Sequence, residues 1–165
     1  MSEAKLTFDF SDMAKLEAAL KRTEKIPQKA VTRAAGKGRT VVRRAVRSAA
    51  PVWSGDLQRG IISVGERSRL RGKKVYDITF DPNMNDVFQR PVKEPGAAGS
   101  TSTKGGHAYY PASMEYGFLT RSKGGGYSYF PGYHFMRDAT EESGPAARHV
   151  MIETFTTELE KEWQK

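Results

Sequence analysis

The chain contains no cysteine at all. That absence excludes structural disulfides, thiolate nucleophiles and thiolate metal sites together. Histidine is nearly as scarce, with only His107, His134 and His149. His149 and Glu153 stand one helical turn apart, but no second histidine lies at metal-ligand spacing, so both read as surface residues. No apolar run approaches the ~20 residues that a membrane span requires. The opening Met1-Ser2-Glu3-Ala4-Lys5 is polar and leads into neither a secretion-type apolar core nor an Arg/Ser-rich transit segment. The expected location is a cytoplasm, or a particle assembled in one. Acid is missing from one stretch: Lys25 to Gly55 holds eight basic residues and no aspartate or glutamate. Basic and acidic residues balance elsewhere, so that segment holds the whole net charge of +8. Such a block points to a polyanion or to an acidic protein surface.

What is present fits a single domain of 165 residues, 38% of them hydrophobic. Leu6 to Phe10 alternates apolar and polar residues and predicts a short strand. Ser11-Asp12 offers an N-cap to a helix reaching about Lys25, with Met13, Leu16 and Leu20 on one face. Pro27 suits the first turn of a second helix, spanning 27–49. Ala30, Val31, Ala34, Gly38, Val41, Val42, Ala45, Val46 and Ala49 share one side of it; Arg33, Lys37, Arg44 and Arg47 share the other. The small residues predict close packing on a neighbour. Gly36 and Gly38 cost about 1 kcal/mol each against alanine and mark a possible kink. Ile61–Val64 and Lys73–Phe80 read as antiparallel strands joined by a basic turn. The Pro-, Gly- and Ser/Thr-rich stretch 81–106 reads as a mobile arm. Nine of the 17 aromatics fall between Tyr109 and Phe135, interleaved with glycine, and extended structure is expected near Tyr127–Phe130. A last helix, 145–163, puts Ala147, Met151, Phe155, Leu159 and Trp163 on one stripe.

No catalytic constellation emerges. Gly36-Lys37-Gly38-Arg39-Thr40 has phosphate-loop residues in the wrong order and inside a helix. Gly124-Gly125-Gly126 opens no helix. Glu115 has no partner in sequence that would make it a general base, and no nucleophile–base pair can be assembled. No enzyme and no cofactor is expected. Two non-enzymatic readings remain. The basic helix with the aromatics could bind nucleic acid by phosphate neutralisation and base stacking. Alternatively, the basic face pairs with an acidic neighbour and the aromatics form core and interface.

Three short motifs separate these readings. Ala50-Pro51-Val52-Trp53-Ser54-Gly55-Asp56-Leu57-Gln58-Arg59-Gly60-Ile61 resembles the signature of phage neck and tail-completion proteins of lambdoid-type long-tailed phages. There, a basic alanine-rich helix ends in Ala-Pro and is followed by Thr-Gly-x-Leu-Arg-x-Ser-Ile. Pro51, Gly55, Leu57 and Ile61 match; Ser54 keeps the threonine hydroxyl, while Gly60 and Trp53 depart. Tyr110-Pro111-Ala112-Ser113-Met114-Glu115-Tyr116-Gly117 is similar to a Tyr-Ala-x-x-(Val/Met)-Glu-(Phe/Tyr)-Gly element. His134-Phe135-Met136-Arg137-Asp138-Ala139 looks like Pro-Phe-(Leu/Met)-Arg-Pro-Ala, with His134 and Asp138 where prolines are usual.

Physically, Ser54-Gly55 is turn chemistry, Gly117 marks a backbone state closed to other residues, and Phe135 and Met136 anchor the last helix. The fold expected is α+β: two N-terminal helices and a C-terminal helix on a small, mostly antiparallel sheet. The resemblance implies a structural virion protein of the neck, a six-fold ring of its own copies. Its implied neighbours are a head-side connector or head-closure protein and a tail terminator or tail tube protein, with DNA passing through the channel. A tail-tube or tail-terminator subunit is a third possibility. Candidate interface residues are Arg33, Lys37, Arg44, Arg47, Tyr109, Tyr110, Glu115, Tyr116, Tyr127 and Tyr129. The rival function is a nucleic-acid-binding module built on helix 27–49.

Overall fold

The small-residue face and the stop at Pro51 produce a helix, α1, over Gln28–Ala49. In this computed structural model, which describes residues 28–67, 70–91, 107–121 and 125–164, it runs uninterrupted through both glycines. The predicted strand at Leu6–Phe10 and the helix ending near Lys25 lie outside the described residues. Ala30, Ala34, Ala35, Gly38 and Val46 are buried, whereas Ala49 is exposed.

A short α2 (Asp56–Gly60) leads into β1 (Ile61–Gly65), which pairs antiparallel with β2 (Tyr76–Phe80) in the register Ile61↔Phe80. The hairpin lies along α1 and is tied to it at both ends. Gln28 Nε2 donates to the Lys73 carbonyl at 3.0 Å and its Oε1 accepts from Gly72 N at 2.9 Å. Near the other end, Arg47 Nε donates to the Ile61 carbonyl at 2.9 Å.

The expected arm is partly built. Asp81 Oδ1 accepts from Asn83 N at 2.9 Å and starts a 3₁₀ turn at Pro82–Met84. It continues into α3 (Asn85–Phe88) and β3 (Gln89–Pro91), which pairs antiparallel with β4 (His107–Tyr109). Residues 81–91 therefore fold onto the body; 92–106 lie outside the described residues. The reason is Phe88, fully buried and packed edge-on to Phe80 and Tyr109 at 5.7 and 6.0 Å. Its ring occupies the space a side chain at position 60 would need, which accounts for glycine there.

Next come α4 (Tyr110–Tyr116), β5 (Gly117–Arg121) and β6 (Tyr127–Pro131), the last two an antiparallel hairpin. The final helix, α5, spans Phe135–Trp163 and so begins ten residues before the expected start. Pro145 sits inside it. The α+β class is as expected, but among the described residues the strands form three separate two-stranded antiparallel sheets in place of one sheet.

α1 and α5 pack antiparallel: Arg33 meets Glu158, Gly38 meets Met151, and Val46 shares the core with Ala139. An added Cβ on Gly38 would stand 2.5 Å from Met151 Cγ. Close helix approach is thus what this glycine supplies. The main core joins Val46, Ala50, Leu57, Ile61, Phe135 and Ala139, with Tyr110, Met114 and Met136 packed against it. All three sequence motifs contribute side chains to this single cluster.

Candidate docking surface

Glu115 is buried, at 5% exposure, and faces the start of α5. Its Oε2 accepts from Met136 N at 2.9 Å and its Oε1 from Arg137 N at 3.2 Å. The residue at the N-cap, His134, has φ 50 and makes no side-chain cap bond. A carboxylate 21 residues upstream performs the capping, placing negative charge at the positive end of a long helix. The backbone is sewn to the same place: Tyr133 N donates to the Met114 carbonyl at 2.8 Å and His134 N to the Glu115 carbonyl at 3.1 Å. Glu115 is therefore spent inside the molecule and is not a surface contact.

This clamp anchors the β5–β6 hairpin at its base. Gly117 has φ 87 and ψ 178, a backbone state that other residues avoid. An added Cβ would also strike the Phe130 carbonyl oxygen and lie 2.7 Å from Gly132 N. Phe118 and Phe130 stack across the strands, centroids 5.2 Å apart and planes 13° from parallel. The Tyr129 hydroxyl donates to the Tyr116 carbonyl at 2.9 Å.

Beyond its base the hairpin is open. Every described residue of β6 is exposed, with Tyr127 and Tyr129 both at 60%. Phe118 and Phe130 are exposed on the opposite face of the hairpin, and Tyr116, at 70%, and Tyr133 are exposed at its base. Of the aromatics expected at an interface, Tyr116, Tyr127 and Tyr129 are exposed. Tyr109 and Tyr110 instead turn inward. Tyr109 joins Phe80 and Phe88, and desolvation raises its phenol pKa; Tyr110 packs on the core. Phe118, Phe130 and Tyr133 were legible only as members of an aromatic-rich stretch. Their outward placement follows from the strand register and Gly117.

The basic helix divides in the same way. Arg47 bonds backbone carbonyls of Ile61 and Arg59, Arg39 stacks over the Tyr76 ring at 4.6 Å, and Arg33 pairs with Glu158. Lys29, Lys37 and Arg44 are exposed and make no ion pair among the described residues. Of the four basic residues expected at an interface, only Lys37 and Arg44 are exposed without an ion pair among the described residues.

The first motif also shows an outer side. Gly55 takes φ 78, and Ser54 Oγ bonds the Asp56 carboxylate as the chain turns into α2. Leu57 and Ile61 point inward, while Trp53 is 94% exposed. Trp53 borders a hollow of about 420 Å³ formed with Ser54, Asp56, Val87, Phe88 and Tyr110. Among the described residues no three histidines or carboxylates gather as a metal site, and no helix is long and apolar enough to cross a membrane. Comparisons with protein-family models, with curated proteins and with solved structures find no match.

Proposed function

We propose that this chain is a structural protein of the neck of a long-tailed phage, completing the end of the tail and joining it to a head-side connector as a ring of identical copies. The β5–β6 hairpin carries the reading: it is anchored at its base and exposes aromatic side chains on both faces, with no catalytic grouping beside it among the described residues. Aromatic residues are favoured where one protein docks on another, because each supplies large contact area at low entropic cost. An isolated two-stranded hairpin is marginal in water, so a surface of this kind gains stability when a partner covers it. The motif resemblance supports the same direction, since its three elements meet in one core and its Glu-Tyr-Gly element forms the hairpin's base. The chain has no reaction of its own in this reading; its work is mechanical.

The test is replacement of Tyr116 and Tyr127 by serine in a phage that depends on this chain. The variant should fold as the parent does, yet full heads and finished tails should accumulate unjoined. Normal yields of joined particles would refute the reading. The exposed Lys37 and Arg44 keep nucleic acid as the competing outcome. The three exposed cations of α1 that make no ion pair among the described residues, Lys29, Lys37 and Arg44, predict a salt slope of about −3 in log affinity against log salt, far short of a dedicated DNA-binding surface. Tight duplex binding by the isolated chain at physiological salt would favour that reading.

A further inference from the structure

We infer that the basic stripe of α1 takes the acidic stripe of α5 from a second copy of this chain, and that this head-to-tail contact is what closes the ring. The inference rests on the neck reading and names the partner of the basic helix. α1 carries seven basic residues and no acid; α5 carries seven acids against three basic residues. Arg33 and Glu158 already pair across the contact between them, so the two helices are matched in charge within one copy.

The rest of each charge set points elsewhere. Projected at about 100° per residue, Lys37 and Arg44 lie roughly 100–120° round α1 from Gly38, where α5 packs. Glu142, Glu153 and Glu160 lie roughly 120–140° round α5 from Ala147, on the side away from α1. Lys37, Arg44, Glu142, Glu153 and Glu160 are all exposed and make no side-chain ion pair among the described residues. The stripes run off in the same rotational sense. In an antiparallel pair they therefore border the two outer edges of one face, the face opposite β1–β2. A single copy cannot bring them together. A second copy set edge to edge can, because its α5 edge meets the first copy's α1 edge. The giving and taking surfaces differ, so each added copy leaves one of each free until the ring closes.

Opposed charges at such a contact fix register and partner, and like charges placed there are strongly repelled. The full chain is prepared as the parent, as K37E/R44E and as E142K/E153K, and native mass is measured for each alone and for the two variants mixed. The parent should form a closed multimer that loosens with salt. Each variant alone should be monomeric, with association weakened at least tenfold, because both its stripes carry one sign. Mixed in equal amounts they should recover the multimer, alternating around it. That recovery also shows that both variants are folded. Variants that assemble alone as the parent does, a mixture that stays monomeric, or a monomeric parent would each overturn the inference. Where the variants assemble alone and still enter particles, only this pairing fails; where the parent chain never enters particles, the neck reading itself fails.

Discussion

Glu115 shows how much one residue can decide here. Its carboxylate holds two amides at the start of a 29-residue helix from within the fold. Glu115→Ala leaves both amides unsatisfied and removes the charge from the helix end, so unfolding should become easier by about 2–4 kcal/mol. Chemical denaturation measures this, and Glu115→Gln should recover only part, since its amide oxygen accepts one bond without the charge. Gly117→Ala faces both a positive φ and a blocked Cβ, and should cost about 2–4 kcal/mol by the same measurement. Glu158 makes a pH prediction. Its hydrogen bond from Arg33 is the main cause holding its carboxyl below the ordinary value of 4.5. A folded value below the unfolded one gives stability that is present above the unfolded value and lost as pH falls through the folded one. The α1–α5 pairing should therefore loosen under acid, and NMR titration of Arg33→Gln should show Glu158 returning towards 4.5. Gly117 was readable before any fold was known. The cap was not, because residues 115 and 136 are brought together only by the turn of β5–β6.

At the scale of elements, the two glycines of α1 separate propensity from packing. A side chain at Gly36 would meet nothing within 4 Å, whereas one at Gly38 would meet Met151. Gly36→Ala should raise stability by roughly 0.5–1 kcal/mol through helix propensity alone. Gly38→Ala should give no such gain, and Gly38→Val should cost about 1–3 kcal/mol by forcing the helices apart. Thermal unfolding of the three variants side by side checks both signs. Periodicity placed α1 and the β1–β2 pair well, because each buries one face or alternates, and the aromatic-rich stretch marked β6. It misplaced the start of α5, since Gly144-Pro145 looks like a helix beginning. The turn before it is stable here because Phe135 and Ala139 are in the core and Glu115 caps the end. Residues 81–91 also read as loop; the burial of Phe88 and the pairing of β3 with β4 fold them back onto the body.

For the molecule as a whole, the outer surface carries the proposed function and the inner one holds it in place. Tyr116→Ser with Tyr127→Ser should change folding stability by less than about 0.5 kcal/mol, because both rings are mostly exposed. A large loss in denaturant midpoint would show that the hairpin serves the fold and not a partner. What the sequence determined by itself is local or compositional: the lack of thiol chemistry, the α+β class, the basic amphipathic helix, the aromatic-rich stretch and the turn at Ser54-Gly55. These depend on residue type and on spacing within a few turns of chain. Tertiary structure alone decided which aromatics face out, which cations are already engaged, and why three separated motifs belong together. Burial and charge pairing depend on which distant segments meet; spacing along the chain carries no record of Glu115 beneath Met136 or of Phe88 over Gly60.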